Sequence, residues 1–398
     1  MALPDTSVQF FDSTMLNAPV LSGQVGTLTA LLTACLVDGF TALTVTSLVV
    51  ADNVATVTTS GAHGLALVGL TGPVVNIAGA TPAGLNGRFR VASVPSSTVF
   101  TLTTEGISDQ TATGTITARR AGLGWSRPFS ATNQAVYQPD PLFTSHCLQV
   151  IDDASVTTSA AGRWAKWRGY EAMTAVDTGT GLFPTAAQSA TGLQVVKSST
   201  SDSTARAWWL VGDAGLFYFG TFWHNSYLDQ ASGYAFGHTG SLRAADAFAT
   251  LISANSAANM TLPSYPGISE FPYIGTATAT QAGRYLARSQ NQIGAAVAAG
   301  LVRGYEGQTS MGYSGFTYPY PVNNGLLFSG LGLAETSLIR ARAIPGLYYP
   351  WHNAPLPHGA ALDSLDGLAG RTLRVQALAA ASNAAQCLID ITGPWARG

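Results

Sequence analysis

At 398 residues the chain is long enough for two or three domains, each burying its own core. Charged residues make up only 10 %, against roughly 25 % in ordinary soluble domains, and a formal net charge of −2 leaves no basic footprint for nucleic acid. Surface charge normally keeps a monomer soluble and its sheet edges apart, so a chain this poor in charge is expected to cover much of its surface in an assembly.

Residues 1–22 read as an extended lead-in carrying Val8, Phe10 and Phe11. The opening MALPDTSVQFFD lacks the positive stretch of a signal peptide, and no run approaches the roughly 18 apolar residues of a membrane span. Synthesis and assembly in a cytoplasm, without membrane insertion, are therefore expected. Val25, Leu28, Leu32, Cys35 and Leu36 then recur at helical spacing, with Ser22 as N-cap and Gly39 as the stop. These first 40 residues are read as a docking segment and one short helix.

From 41 to 120 the period switches to two. Strands are predicted at 43–50, 53–59, 73–79, 87–94, 98–104 and 111–118, with turns at Asp52-Asn53, Asn86-Gly87 and Pro95-Ser96-Ser97. Phe89 and Val91 share a face, as do Phe100 and Leu102, while Thr and Arg take the other. Five or six short strands in so little chain imply a small barrel or sandwich.

Residues 121–398 form a larger β-rich domain. LQVIDD (148–153) and RWAKWRGYEAM (163–173) read as neighbouring strands, and RAWWLVGDAGLFYFGTFW (206–223) as a hairpin turning at Asp213-Ala214-Gly215. Trp208, Leu210, Phe217 and Phe219 alternate with Trp209, Val211, Leu216 and Tyr218, so both faces are apolar and the hairpin is either central or at an interface. Ala282–Leu286 and Ala295–Leu301 are read as short helical pieces, and 370–395 as two strands around a polar turn. The fold class is thus mainly β: one short N-terminal helix, a small β-barrel or sandwich module, then the larger β-rich domain.

Motifs of catalysis are missing. HExxH, GxSxG and the P-loop pattern do not occur, and GTGLFP and GLGLAE lack the third glycine of a dinucleotide fingerprint. Asp152-Asp153 is a candidate metal or acid pair, but adjacent strand residues point to opposite faces, which favours a strand end. LDSLDG (362–367) lacks the ligand spacing of a calcium loop. His63 reads as a turn residue, and His352 and His358 lie in a Pro-rich stretch with no acidic partner. Cys35, Cys147 and Cys387 are odd in number and far apart, so buried free thiols in a reducing compartment are expected. Lys166 and Lys197 are the only lysines, so Arg supplies the other 17 of the 19 cations. No catalytic residue, metal ligand or cofactor is assigned.

Two surfaces remain as candidates. GRWAKWRGYE interleaves bases with aromatics; with no basic domain around it, it reads as an interface patch rather than a nucleic-acid platform, giving Trp164, Trp167 and Arg168, with Trp208 and Phe217 from the hairpin, as interface residues. FTYPYPVNNG and GLYYPWHNAPLPHG place Tyr318, Tyr320, Tyr348, Tyr349 and Trp351 in Pro-rich loops, where they either stack on a ligand or anchor a partner, or simply pack the loop onto a sheet.

The run NVATVTTSGAHGL…NIAGATPAGLNGRFRVASVPSSTVFTLTTEGISDQTATGTI resembles a small β-module common in tail and other structural proteins of tailed bacteriophages. The opening DTSVQFFDSTM…APVLSGQVGTLTALLTACLVDGF, together with GWSRPFSATNQAVYQ, RGYEAMTAVDTGTGLFPT and the closing DITGPW, is similar to uncharacterised phage virion proteins. The resemblance implies a bacteriophage virion protein, a tail or baseplate/tail-tip subunit working as a homo-oligomer with other phage tail proteins, and carries over no catalytic residues. Alternatives are a receptor-binding protein of the tail tip that grips a host surface glycan or pilus, and a capsid decoration protein. A glycan-degrading enzyme would need two suitably spaced carboxylates, which the sequence does not offer.

Overall fold

The structure, a computed structural model, describes residues 3–155, 162–224, 231–255, 283–303, 317–335, 340–351, 356–378 and 385–397. It is mainly β, with one short helix, a six-stranded barrel and several further sheets.

Strand β1 (Gln9–Asp12) comes first, followed by helix α1 (Thr27–Leu32), which continues into a π-helical turn at Thr33–Asp38. The helix is shorter than its apolar spacing suggests and is not capped by Ser22. Its N-cap position is Gly26, in the left-handed region at φ 80, with no side-chain cap. The Asp152 carboxylate supplies the acceptor instead, its Oδ2 taking the Leu28 N–H at 2.7 Å. Gly39, at φ 71, ends the helical segment as expected.

The barrel is built from β2 (Phe40–Ala51), β3 (Val54–Thr59), β4 (Val74–Ala78), β5 (Gly87–Ser96), β6 (Val99–Thr103), the short β7 (Gln110–Thr111) and β8 (Thr117–Arg120). The long β2 pairs with β8 at its start and β3 at its end, closing the ring β2-β3-β6-β5-β4-β8. Alternate residues fill it: Leu48, Val50, Ala55, Val57, Val75, Ile77, Val91, Phe100 and Leu102 are buried in one cluster. Asp52 and Asn53 both have positive φ, the signature of a two-residue primed hairpin turn. Asn86-Gly87 does not make such a turn. Its carboxamide spans the loop before β5, accepting from Ala80 N (2.8 Å) and donating to Ala80 O (2.7 Å). The predicted strand at 111–118 is broken near Gly114 (φ 111), where a Cβ would sit 2.3 Å from the Gly79 carbonyl.

Three stacked sheets make the body. The first runs β15-β12-β11-β10-β9, from β9 (Ser126–Ala131), β10 (Gln134–Gln138), β11 (Cys147–Ile151), β12 (Trp164–Tyr170) and β15 (Leu193–Val196); β13 (Ala172–Ala175) and β14 (Thr178–Thr180) form a separate ribbon. The second adds β1 to β16 (Ala207–Gly212), β17 (Leu216–Phe222), β18 (Ser232–His238), β20 (Thr250–Ser253), β21 (Arg284–Leu286) and β22 (Val297–Ala298). The third holds β23 (Gly300–Arg303), β24 (Phe328–Ala334), β25 (Arg340–Pro350), β28 (Ala385–Asp390), β27 (Thr372–Leu378) and β26 (Ala361–Asp363), with β19 (Gly240–Ser241) paired to β25. The segments read as helical near 284 and 297 are therefore strands, because they pair with the sheet edge at Leu251↔Leu286 and Tyr285↔Ala298; Ala282 lies outside the described residues.

The second sheet is the middle layer. Trp208, Leu210, Phe217, Phe219 and Phe236 face the first sheet and α1 in one core, while Trp209, Val211, Leu216, Tyr218 and Ala235 face the third sheet in another. Both apolar faces of the predicted hairpin are thus covered by the protein's own chain. Trp208 and Phe217 are not interface residues, nor are Trp164 and Trp167, all being at most 3 % exposed.

Arginines from the outer face of the barrel fasten it to the body. Arg90, 8 % exposed, donates to the carbonyls of Asp5 (2.5 Å), Gly72 (2.8 Å), Val8 (2.9 Å) and Thr392 (3.1 Å). Arg88 donates to Thr6 O and Gly122 O, both at 3.0 Å. Burial lowers the Arg90 guanidinium to about 10, partly opposed by Asp5 and Asp390.

Candidate functional site

The aromatic segments divide on folding. Tyr348 and Tyr349 lie on β25 rather than in a loop: Tyr349 is buried in the core between the second and third sheets, and Tyr348 packs edge-on against Phe328 at 5.7 Å in a small satellite cluster. Trp351 is half-buried, its indole N–H on Ser329 Oγ at 2.9 Å. Tyr320 is half-buried in a tight loop closed by its own N–H on Gly325 O (3.0 Å), and Tyr318 alone of the five is exposed, at 41 %. Packing therefore takes most of this set. His352 lies outside the described residues.

The acid pair is likewise split. Asp152 follows β11 into the interior, where its Oδ1 meets Lys197 Nζ; both side chains have no exposure. Lys197 also donates to Gln24 O (2.7 Å) and Thr27 Oγ1 (3.3 Å). Burial pushes the Asp152 carboxyl up to about 6 against the pull of Lys197, and pushes the Lys197 amine down. Asp153 points the other way, to Gln134 Nε2 (2.7 Å) and Ser155. Asp363 of LDSLDG accepts from Leu70 N (3.1 Å) and Thr372 Oγ1 (2.5 Å), docking a barrel loop on β26. His63 turns the chain as expected, with Nδ1 accepting from Leu65 N at 2.9 Å. Among the described residues no three His, Cys, Asp or Glu side chains gather as metal ligands, and all three cysteines are buried and free.

One end of the body has a different character. The connections 139–146, 213–215, 242–249 and 287–296 converge there with the C-terminal segment. Asp213 Oδ1 closes the β16–β17 turn by accepting from Gly215 N (2.8 Å) and Leu216 N (2.9 Å), and receives Arg397 Nη2 at 2.6 Å. Arg397 also donates to His238 O (3.3 Å) and lies 4.3 Å over the Phe143 ring. Asp140 N reaches Ala214 O (2.8 Å), Arg243 reaches Gln290 O (2.6 Å), and Gln292 Nε2 reaches Ala245 O (2.9 Å).

Beneath these loops Arg342, fully buried, bridges Asp246 (2.9 Å) and Glu335 (2.6 Å) and donates to Arg288 O (3.1 Å). Arg288 in turn grips Glu171 through two 2.6 Å bonds and lies 4.2 Å over Phe248. Two histidines, His146 buried and His238 half-buried, belong to the same region. His146 Nδ1 is 2.7 Å from Thr250 Oγ1, and burial lowers both His146 and His238 to about 4.

On this braced platform sit three large apolar side chains in solvent: Leu142 (90 % exposed), Ile293 (75 %) and Leu242 (63 %). Beside Ile293 opens a cleft of about 330 Å³, walled by Glu171, Arg288, Thr185, Leu182 and the small residues 294–296. Loops held by bidentate and buried ion pairs do not collapse to hide such side chains, so the apolar tips stay presented. Sequence reasoning missed this site, since its acids and arginines are scattered singly along the chain.

The sequence matches no protein-family model and no curated protein.

Proposed function

We propose that this chain is a structural subunit of a tailed-bacteriophage virion, in the tail or baseplate, and that it docks on neighbouring subunits through the loop end bearing Leu142, Leu242 and Ile293. The observation that carries the docking surface is the pairing of solvent-exposed apolar tips with a buried arginine network that fixes them. Exposed apolar residues on a rigid support are what a protein interface needs, because little conformational entropy is lost when they are covered. The scarcity of surface charge supports the same reading, and the phage assignment rests on the sequence resemblance.

A non-catalytic role is part of the proposal. The carboxylates with the deepest burial are engaged: Asp152 by Lys197, Asp246 by Arg342, Asp390 by Arg371 at 2.7 Å. Receptor binding is a second reading, favoured by the exposed Tyr318 and by Val322, 80 % exposed, in the same loop.

Light scattering at low micromolar concentration tests the docking surface. The wild type is expected to exceed the 41.2 kDa of one chain, and the double variant Leu142→Glu, Ile293→Glu to run as a folded monomer. A wild type that remains monomeric, with no association restored by other tail proteins of the same particle, would overturn it. Mass spectrometry of purified particles tests the virion assignment separately, and loss of host adsorption in Tyr318→Ala would favour the receptor reading.

A further inference from the structure

We propose that Lys197 and Asp152 condense after folding into an intramolecular amide, a covalent staple between the ends of β15 and β11. These two strands flank β12 in the first sheet, so the bond would tie its two neighbours together across it.

The geometry favours the amide as well as the ion pair. Both side chains are fully buried and in contact through Nζ and Oδ1. The other carboxylate oxygen, Oδ2, receives the Leu28 N–H at 2.7 Å, a donor placed to hold negative charge as a tetrahedral intermediate forms. Thr27 Oγ1, 3.3 Å from Nζ, accepts from the amine and donates to Gln24 O (3.0 Å) or Ser22 O (3.1 Å), which helps hold Nζ against Oδ1.

The steps balance with water as the only product. One Nζ proton passes to Oδ1, leaving a neutral amine and a carboxylic acid, the forms that a dry site prefers over separated charges. The amine lone pair attacks Cγ, the C–N bond forms, and the Cγ–Oδ2 π electrons move onto Oδ2 under the Leu28 N–H. A second Nζ proton passes to the adjoining Oδ1 hydroxyl, and as the Oδ2 electron pair re-forms the carbonyl the Cγ–Oδ1 bond breaks and water leaves. The third proton stays on the new amide nitrogen and donates to Gln24 O, already 2.7 Å from Nζ. Both polar groups of the product amide are therefore partnered before it exists.

The sequence supplies an independent observation. The chain uses arginine for 17 of its 19 cations, yet places one of its two lysines in this fully buried pair. For a purely ionic role Arg is the better residue, with its fixed fork and bidentate fit. Lysine differs in being a nucleophile once deprotonated.

Intact-mass spectrometry of the purified full-length chain, followed by peptide mapping, tests the staple. The expected result is a chain lighter than its sequence by one water, with a branched peptide joining the segments that contain Asp152 and Lys197. Lys197→Arg should show the full sequence mass. A wild type of full sequence mass would overturn the proposal, as would a water loss that maps to a linear peptide elsewhere. The wild-type measurement decides even if the variant fails to fold.

Discussion

The Arg90 guanidinium donates to the main-chain carbonyl of Thr392, 3.1 Å away, across the joint between barrel and body. Three further carbonyls share the same side chain, two of them from the N-terminal segment. Arg90→Ala would leave these acceptors buried without a donor, so we expect a loss of about 3–5 kcal/mol in unfolding free energy. Arg90→Lys should recover little, because an ammonium cannot reach carbonyls on three sides. Chemical denaturation of the two variants beside wild type checks both outcomes.

The barrel closes on its own core, and its strands are joined through local connections. A fragment spanning 40–121 is expected to give dispersed amide resonances and a cooperative thermal transition, below that of the intact chain because Arg88 loses both its acceptors and Arg90 all but Gly72 O. A random-coil spectrum would show instead that the body holds the barrel together.

Acid should loosen the loop end. His146 and His238 titrate near 4 in the fold and near the ordinary 6.5 when unfolded. The unfolded chain therefore binds protons first as pH falls, so their stability contribution is complete above 6.5 and is lost between 6.5 and 4. For His146 this amounts to about 2–3 kcal/mol by about pH 4.5. Only in a chain where Asp152 is not joined to Lys197 would its carboxyl, raised to about 6 by burial, act oppositely by favouring the fold as pH falls through the same window. Urea midpoints across pH 4.5–7.5 should decline on acidification in wild type and more gently in His146→Gln.

Trp208→Glu should abolish folding rather than split an oligomer. The indole is 1 % exposed between two sheets and donates to Pro19 O at 2.9 Å. Phe217→Ala, in the same core, is expected to cost about 3–5 kcal/mol. Circular dichroism should report unfolded Trp208→Glu protein, while the Leu142→Glu, Ile293→Glu pair keeps a wild-type spectrum.

The strands were legible because period-two alternation survives even where charge is scarce: five of the six predicted barrel strands form, as do both arms of the hairpin at Asp213. What covers each face was not. Nothing near Trp209 says that the layer covering it arrives from strands between Leu331 and Ile389 of the same chain. The helix start was misread for a similar reason, since its acceptor, Asp152, lies 124 residues beyond Leu28. Tyr348 and Tyr349 looked like loop residues because proline flanks them, yet the strand simply ends at Pro350. The loop-end network left one local trace, the Asp-Ala-Gly turn at 213–215; Arg397 and Arg342 find their acids only through tertiary structure.

Strand β1 has its pairing partner some 200 residues downstream: Gln9 opposes Gly212, and Asp12 opposes Trp209. During synthesis it has no neighbour until β16 emerges, whereas the barrel that follows it needs only local closure. Folding order is therefore expected to run against sequence order, with residues 40–120 able to close while residues 9–12 still wait for β16. Long-range pairing of this kind is slow and leaves an open edge beside β16 until β1 returns to fill it.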